Sequence, residues 1–329
     1  MRAVWYERQG PAREVLTLGE LPDPVPGTGE VLVRLHASGV NPADCNLRAG
    51  GRGPMDGPRV VPNSDGAGIV EAVGPGVAPV LIGKRIWLYN GQRNGRAFGT
   101  AAEHIALAAD LVTPLPDHVS FAEGATLGIP CMTAHRSLFV AGPVQGKRVL
   151  ITGGAGAVGH YAAQLAKWAG ATVFATVSSE EKAARARAAG ADHVIDYRRQ
   201  DVAAEILRLT GGEGVDHVVE VEFGGNLTAT LACLRMNGSI ATYASTGERT
   251  PRLPIYELMR RNLSLHTLFL PGVPHEARRR AQADITAWIG AGRAILSVAG
   301  TYPLAETAAA HEAVERGGKV GTMVVEPAR

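Results

Sequence analysis

Cysteine is scarce in this chain. Its 329 residues include three, Cys45, Cys131 and Cys233, and none stands in a C-x-x-C pair. Such a set builds no disulfide framework and suits a reducing compartment. Nor can it supply the four closely spaced thiolates of a structural zinc lobe. A surplus of one charge is missing as well: net charge is +2, and the basic clusters Arg34–His36, Arg198–Arg199 and Arg278–Arg280 are short and scattered. Without a basic stripe interleaved with aromatics, nucleic acid is a poor candidate partner. The start, Met1-Arg2-Ala3-Val4-Trp5, lacks the apolar core of a signal peptide. No run of about twenty apolar residues is present to cross a bilayer. We therefore expect a soluble cytoplasmic protein with no membrane partner.

Glycine and proline, by contrast, are plentiful, at 41 and 20 residues, and 46% of the chain is hydrophobic. That composition argues against a helical bundle and asks for many turns between short elements. The length suggests two domains. Residues 1–125 read as β-rich: Val31–Leu35, Gly68–Val73 and Arg85–Tyr89 are short strand candidates between turn-rich segments such as Pro22–Gly29 and Gly74-Pro75-Gly76. From about 125 to 270 the texture changes. Arg148–Thr152 carries the unbroken apolar run of a strand buried on both faces. Helix Gly159–Ala169 follows, with Tyr161, Ala162, Leu165 and Trp168 at three- and four-residue spacing. Strands at Thr172–Val177, His193–Asp196, His217–Val221 and Ser239–Ala244 then alternate with helices at Glu180–Ala189, Val202–Leu209 and Leu227–Leu234. This alternation predicts an α/β protein with a doubly wound, parallel Rossmann sheet. The last segment has helices at Ala281–Gly290 and Ala305–Glu315 and a strand at Gly321–Glu326, and we expect it to rejoin the N-terminal domain.

The strongest local signal is Ile151-Thr152-Gly153-Gly154-Ala155-Gly156-Ala157-Val158-Gly159, which contains G-x-G-x-x-G at Gly154, Gly156 and Gly159. It follows a buried strand and opens an amphipathic helix, the context that gives the motif meaning. Gly154 is expected to make the tight turn, Gly156 to let backbone approach a pyrophosphate, and Gly159 to let helix and strand pack closely. The helix start then offers unbonded N–H groups and a positive dipole end to phosphate. The bland alternative is a glycine-rich turn that holds no ligand.

NAD-binding sheets usually end the second strand on Asp or Glu, which accepts from the ribose hydroxyls. Here that strand runs out through Thr176-Val177-Ser178-Ser179 with no carboxylate, Lys182 follows within a helical turn, and Tyr197 follows the third strand. A 2′-phosphate suits hydroxyl donors and an ammonium and is repelled by a carboxylate. The pattern therefore points to NADPH. Glu180 and Glu181 are close by, but first-turn acids of a helix can face solvent. Lys182 reads equally well as a surface lysine.

Zinc alcohol dehydrogenases need cysteine, histidine and carboxylate ligands in one cluster. The histidines here are dispersed, and Cys45 reads as a small packed or pocket-lining residue. Without a Lewis acid, taking a hydride from an alcohol is hard, whereas delivering one to an electron-poor acceptor remains feasible.

In order along the chain stand Asn41-Pro42-Ala43-Asp44, Asp65-Gly66-Ala67-Gly68-Ile69-Val70, Gly99-Thr100-Ala101-Ala102-Glu103-His104, Gly128-Ile129-Pro130-Cys131-Met132-Thr133-Ala134 and the glycine loop. This series resembles the zinc-free quinone oxidoreductases, of ζ-crystallin type, in the medium-chain dehydrogenase/reductase superfamily. The resemblance spans nearly the whole chain. It implies a β-rich GroES-like substrate domain, formed by 1–124 and 270–329, and a Rossmann NADPH-binding domain at 125–269. It aligns Asn41 and Ser64 with the metal-ligand positions of the zinc enzymes, so both replacements remove ligands. It implies that Ala155, Gly156, Ala157 and Val158 lie on the pyrophosphate, and that Ser178, Lys182 and Tyr197 surround the adenosine phosphate. Asn226, Tyr243, Ser245 and Thr246 would line the cofactor groove. Thr133 and His266-Thr267-Leu268 would approach the nicotinamide. Homodimers through the last Rossmann strand, near Leu263–Phe269, are also implied.

One departure concerns Asn46, where the family usually has a tyrosine facing cofactor and substrate; asparagine can hydrogen-bond there but cannot stack. Glu222 is a second oddity, read either as solvated rim or as a bias of the groove against anions. The function implied is NADPH-dependent transfer of a hydride, or of single electrons, to a quinone, with Asn41 stabilising the developing oxyanion. The same hydride delivered to carbon would make an enone reductase. A non-catalytic NADPH- or RNA-binding role is the alternative from another class. If Lys182 pairs with the 2′-phosphate, Lys182→Ala removes a charge-assisted bond of about 1.5–3 kcal/mol and weakens NADPH binding roughly ten- to a hundredfold. NADH binding measured in parallel should barely change, and an equal loss for both cofactors would remove the assignment.

Overall fold

The structure, a computed structural model, describes residues 1–51, 53–93, 95–318 and 320–328. The chain divides into two units, one of Met1–Ile129 with the segment from Gln282 onward, the other of Pro130–Ala281. Both divisions fall inside helices, Gly128–Phe139 and His275–Gly290.

The Pro130–Ala281 unit is built on six parallel strands: β1 (Arg148–Ile151), β2 (Thr172–Val177), β3 (His193–Asp196), β4 (Val215–Glu220), β5 (Leu234–Thr242) and β6 (Ser264–Thr267). Helices α1 (Ala157–Trp168), α2 (Glu180–Ala188), α3 (Val202–Leu209) and α4 (Phe223–Cys233) follow the first four strands, and α5 (Ile255–Arg260) precedes the last. The strand order is β3-β2-β1-β4-β5-β6, with every neighbour pair parallel. Chain direction across the sheet reverses between β1 and β4, and such a switch point opens a crevice beyond the strands' C-terminal ends.

The sheet forms because its strands are apolar on both faces. Val149, Leu150, Ile151, Val173, Phe174, Val218, Val219 and Ile240 are all buried, and Leu150, Phe174, Val218 and Ile240 cluster with Ile206 and Leu231 from the flanking helices. Helix α1 is buried without interruption from Gly159 to Ala166, so it presents no narrow apolar stripe. Trp168, expected on that stripe, is 45% exposed at the last position of the helix.

One buried polar group is tethered across this unit. His217, on β4, makes bonds of 2.8 Å to the Ser137 carbonyl and to Ser239 Oγ on β5. The carbonyl can only accept, so Nε2 carries the proton and Nδ1 accepts from the serine.

The other unit is a mixed sheet. Strands Val298–Pro303, Thr322–Glu326, Glu30–Val40, Asp65–Val73, Arg85–Leu88 and Val112–Pro114 lie in that order, and His104–Ala108 also pairs with Glu30–Val40. All pairs are antiparallel except the first, Val298–Pro303 with Thr322–Glu326. The C-terminal strand enters this sheet with Met323 opposite Val40, so the end of the chain is hydrogen-bonded to its beginning. No helix among the described residues is long and apolar enough to cross a membrane.

Desolvation, only partly offset by its hydrogen bonds, pushes His217 down to about 4 from an ordinary 6.5. Between those values the unfolded state takes up a proton that the folded state refuses, so stability falls as pH drops from 6.5 to 4. The loss attributable to this residue reaches about 3 kcal/mol, at 1.36 kcal/mol per pKa unit. Urea unfolding at pH 7 and pH 4.5 should show a smaller acid loss in His217→Gln than in the parent; identical losses would show that His217 is protonated in the fold.

Candidate functional site

The turn from β1 into α1 brings backbone against backbone. A β-carbon on Gly159 would lie 2.3 Å from the Gly153 carbonyl oxygen, and one on Gly154 would lie 2.7 Å from the Ala175 β-carbon. Glycine is therefore required at both positions by contact. The tight turn, expected at Gly154, falls one residue earlier: Gly153 has the left-handed backbone, with φ of 64°. Gly156 begins α1 with no side-chain cap. The first N–H groups of that helix, from Ala157 onward, have no intrahelical acceptor, the arrangement that receives an anion.

The loop is tied to the end of β2. Gly153 N donates to Thr176 Oγ1 at 3.0 Å and Gly154 N to the Thr176 carbonyl at 2.9 Å. Ser178 follows, nearly buried, and its hydroxyl receives Lys182 Nζ at 2.9 Å, while Ser179 caps α2 by accepting from Lys182 N. The Tyr197 amide donates to the Val177 carbonyl at 3.1 Å, which holds that half-exposed ring beside the end of β2. Ser178, Lys182 and Tyr197 are thus gathered at one strand end, with no carboxylate at the tip of β2. Glu180, the first residue of α2, pairs instead with Arg187. Arg185 also reaches the loop, its Nε donating to the Ala155 carbonyl at 3.1 Å. Sequence reading missed it because a third cation in an Ala-Arg helix carries no motif.

At the switch point the carboxylate that matters is Glu220, not Glu222. Glu220 is fully buried, and Oε1 accepts from Thr152 Oγ1 (2.7 Å), Glu222 N (2.8 Å) and Asn226 Nδ2 (2.9 Å), while Oε2 accepts from Thr230 Oγ1 (3.0 Å). Asn226 therefore gives an amide hydrogen to the core of the crevice. Glu222 is partly exposed, and it is not a free charge in the groove: it accepts from Thr246 N at 2.8 Å and Gly247 N at 3.0 Å. Desolvation raises its pKa, but these backbone donors outweigh that and hold the carboxyl below its usual range. The clasp fixes the loop after β5, where Ser245 Oγ accepts from Gly224 N. Beyond β5 and β6 lies a cavity of about 370 Å³, and Tyr243, Ser245, Thr267 and Leu268 are among its lining residues. Strand alternation turns His266 away from the face that Leu265 and Thr267 give to this cavity. Thr133 is buried on Gly128–Phe139 and does not line it.

In the other unit, Asn41 begins the helix Pro42–Arg48 and its amide is buried. Nδ2 donates to Asp65 Oδ2 at 2.7 Å and the backbone N donates to Asp44 Oδ2 at 2.8 Å. Asp44 Oδ1 accepts from Ser64 Oγ and from Arg93 Nη2, each at 2.8 Å, in an ion pair buried on both sides. Asp65 also accepts from Ile129 N at 2.9 Å. Asn46 lies one turn further along the same helix and is exposed.

A parallel sheet with its glycine loop at the switch point, together with a mixed sheet that takes in the strand Thr322–Glu326, defines a medium-chain dehydrogenase/reductase. Residues 157–285 match the family model described as zinc-binding dehydrogenase, and 27–117 that of the alcohol dehydrogenase GroES-like domain. Rat quinone oxidoreductase is 32% identical over 332 residues, covering 99% of this chain and 97% of the relative. The 2-haloacrylate reductase of a Burkholderia species is 33% identical, covering 99% of each. The Escherichia coli quinone oxidoreductase solved with NADPH superposes with a TM-score of 0.86 at 27% identity, over 99% of this chain and 100% of that one. The chain belongs to the quinone oxidoreductase family of the medium-chain superfamily.

Among the described residues no group of three or more His, Cys, Asp or Glu could hold a metal ion. Asn41 and Ser64 are instead bound to the two aspartates. Burial and the negative charge of Asp44 push Asp65 up to about 8 from 3.8, against the pull of the Asn41 and Ile129 hydrogen bonds and the Arg93 charge. Below 3.8 both folded and unfolded carboxyls are protonated. As pH rises toward 8 only the unfolded one ionises, so stability is lost across that window and the loss is complete once pH passes about 8. Thermal unfolding from pH 5 to 9 should therefore fall less steeply for Asp65→Asn than for the parent, and parallel slopes would show the carboxyl ionised in the fold.

Proposed function

We propose that this oxidoreductase uses NADPH and reduces quinones without a metal ion. The observation that carries the reading is the end of β2, where Ser178 and the Lys182 ammonium occupy the position that NAD-binding sheets give to a carboxylate. The E. coli relative solved with NADPH and the rat quinone oxidoreductase support it. When bound, NADPH supplies the hydride, which is the hard part of the chemistry. The chain's own residues bind and orient. The N–H groups at the start of α1, with Ala155 and Gly156 before them, receive the pyrophosphate. Tyr243, Ser245, Thr267 and Leu268 give the groove its walls, and the Glu222 clasp on Thr246 and Gly247 keeps one wall in place.

Asn41 has two amide hydrogens, and one is committed to Asp65. The other is the donor we assign to the acceptor oxygen as negative charge develops there, a role that needs no shifted acid. In this reading polarisation of the acceptor rests on such hydrogen bonds, since among the described residues no group of three or more His, Cys, Asp or Glu could hold a metal ion. Water supplies the proton. We also assign a homodimer contact to β6, the outer strand of its sheet, flanked by exposed Tyr256, Met259 and Phe269.

A second reading is reduction of an activated alkene. It is favoured by the identity to the Burkholderia 2-haloacrylate reductase and by Asn46, which leaves the usual tyrosine ring absent. The deciding assay follows NADPH and NADH oxidation with 9,10-phenanthrenequinone, 1,4-benzoquinone and a simple enone, with EDTA present. Chelator-insensitive NADPH oxidation by the quinones is expected. Turnover confined to the enone would move the activity to alkene reduction. Binding of NADPH with no turnover on any acceptor would reject both in favour of a non-catalytic binding protein.

A further inference from the structure

Besides Glu180 and its partner Arg187, helix α2 carries three charged side chains within Glu180–Ala188: Glu181, Lys182 and Arg185. Of these three, Glu181 is exposed, and it stands four residues before Arg185, the spacing at which a helical ion pair forms. No such pair is made. Arg185 turns inward and donates through Nε to the Ala155 carbonyl of the glycine loop at 3.1 Å. Lys182, three residues earlier on the same helix face, turns to Ser178 Oγ. Neither cation has a carboxylate partner among the described residues, and burial works against the Arg185 charge. Two cations on one face, both directed at the loop and strand end that receive a nucleotide, lack the anion that would balance them. A guanidinium held through Nε keeps its paired Nη donors for a phosphate, which it engages with two parallel bonds.

We propose that Arg185 is a second phosphate-binding cation of the adenosine site, acting with Lys182 to select a 2′-phosphorylated dinucleotide. The assignment rests on the NADPH reading above. A purely bracing role, in which Arg185 only holds the Ala155 carbonyl, predicts something different: every nucleotide would lose affinity alike when it is replaced.

The experiment is calorimetric titration of the full chain with adenosine 2′,5′-bisphosphate, ADP and 5′-AMP. The parent should prefer the 2′,5′-bisphosphate; no preference would overturn both the NADPH reading and this assignment. Arg185→Gln is expected to weaken the 2′,5′-bisphosphate roughly ten- to a hundredfold while changing 5′-AMP by less than about threefold. Arg185→Lys, which retains a charge but not the fork, should recover part of the loss. If the parent shows the preference and Arg185→Gln weakens all three ligands equally, the residue braces the loop and the assignment fails. A loss confined to ADP would transfer Arg185 to the pyrophosphate and also overturn it.

Discussion

Between β1 and α1 the chain passes so close to itself that the Gly153 carbonyl oxygen would stand 2.3 Å from any β-carbon at position 159. That contact sets how deeply the start of α1 sits against the sheet, and with it the direction of the first unbonded N–H groups of the helix. The remaining parts of the proposed nucleotide site are referenced to the same turn. Thr176 holds the loop from the β2 side through two hydrogen bonds, and Arg185 holds it from α2 through Ala155. A larger residue at 159 or 154 would have to move the helix or the strand, and these attachments would move with it.

Buried carboxyl groups do the bracing elsewhere. Glu220 collects four donors at the switch point, three on Oε1 and one on Oε2, so both oxygens are hydrogen-bonded although the side chain is fully buried. Asp44 and Asp65 divide the work in the other unit: Asp44 takes Arg93 and Ser64, and Asp65 takes Asn41 and Ile129. Networks of this kind stabilise only when complete, since removing one partner leaves a buried group unpaired at a cost of several kcal/mol. Paired aspartates and an arginine give these positions their order, and Asn41 is held in a defined orientation by Asp44 and Asp65.

The charges of α2 show how the same residue types separate into surface and site. Glu180 and Arg187 satisfy each other at the surface. Lys182 and Arg185 are turned to the loop and the end of β2. The electrostatic character of that strand end is therefore positive, which suits a phosphate and disfavours the diol-accepting carboxylate chemistry of NAD sites.

Much of this was written in local pattern. The apolar runs at 148–152 and 172–177, the Ala-rich helices between them and the glycine loop in its strand-to-helix setting determine the parallel sheet, because burial on both faces and close backbone packing demand those residue types. The missing carboxylate after Val177 was equally plain. Other features were decided only by the fold. Left-handed backbone fell on Gly153 and not Gly154, because neighbouring glycines are interchangeable until the Ala175 contact distinguishes them. Glu220 and Glu222 stand two residues apart, and only the tertiary structure makes one the hub of the crevice and the other a clasp on a loop 24 residues away. Trp168 fitted the helical spacing yet is left to solvent at the end of its helix. Arg185, one charged residue among several on an amphipathic-looking helix, acquired its place from the position of Ala155, 30 residues before it. Periodicity determines which face of an element is apolar; which polar side chain meets which backbone group depends on distances across elements that no local pattern contains.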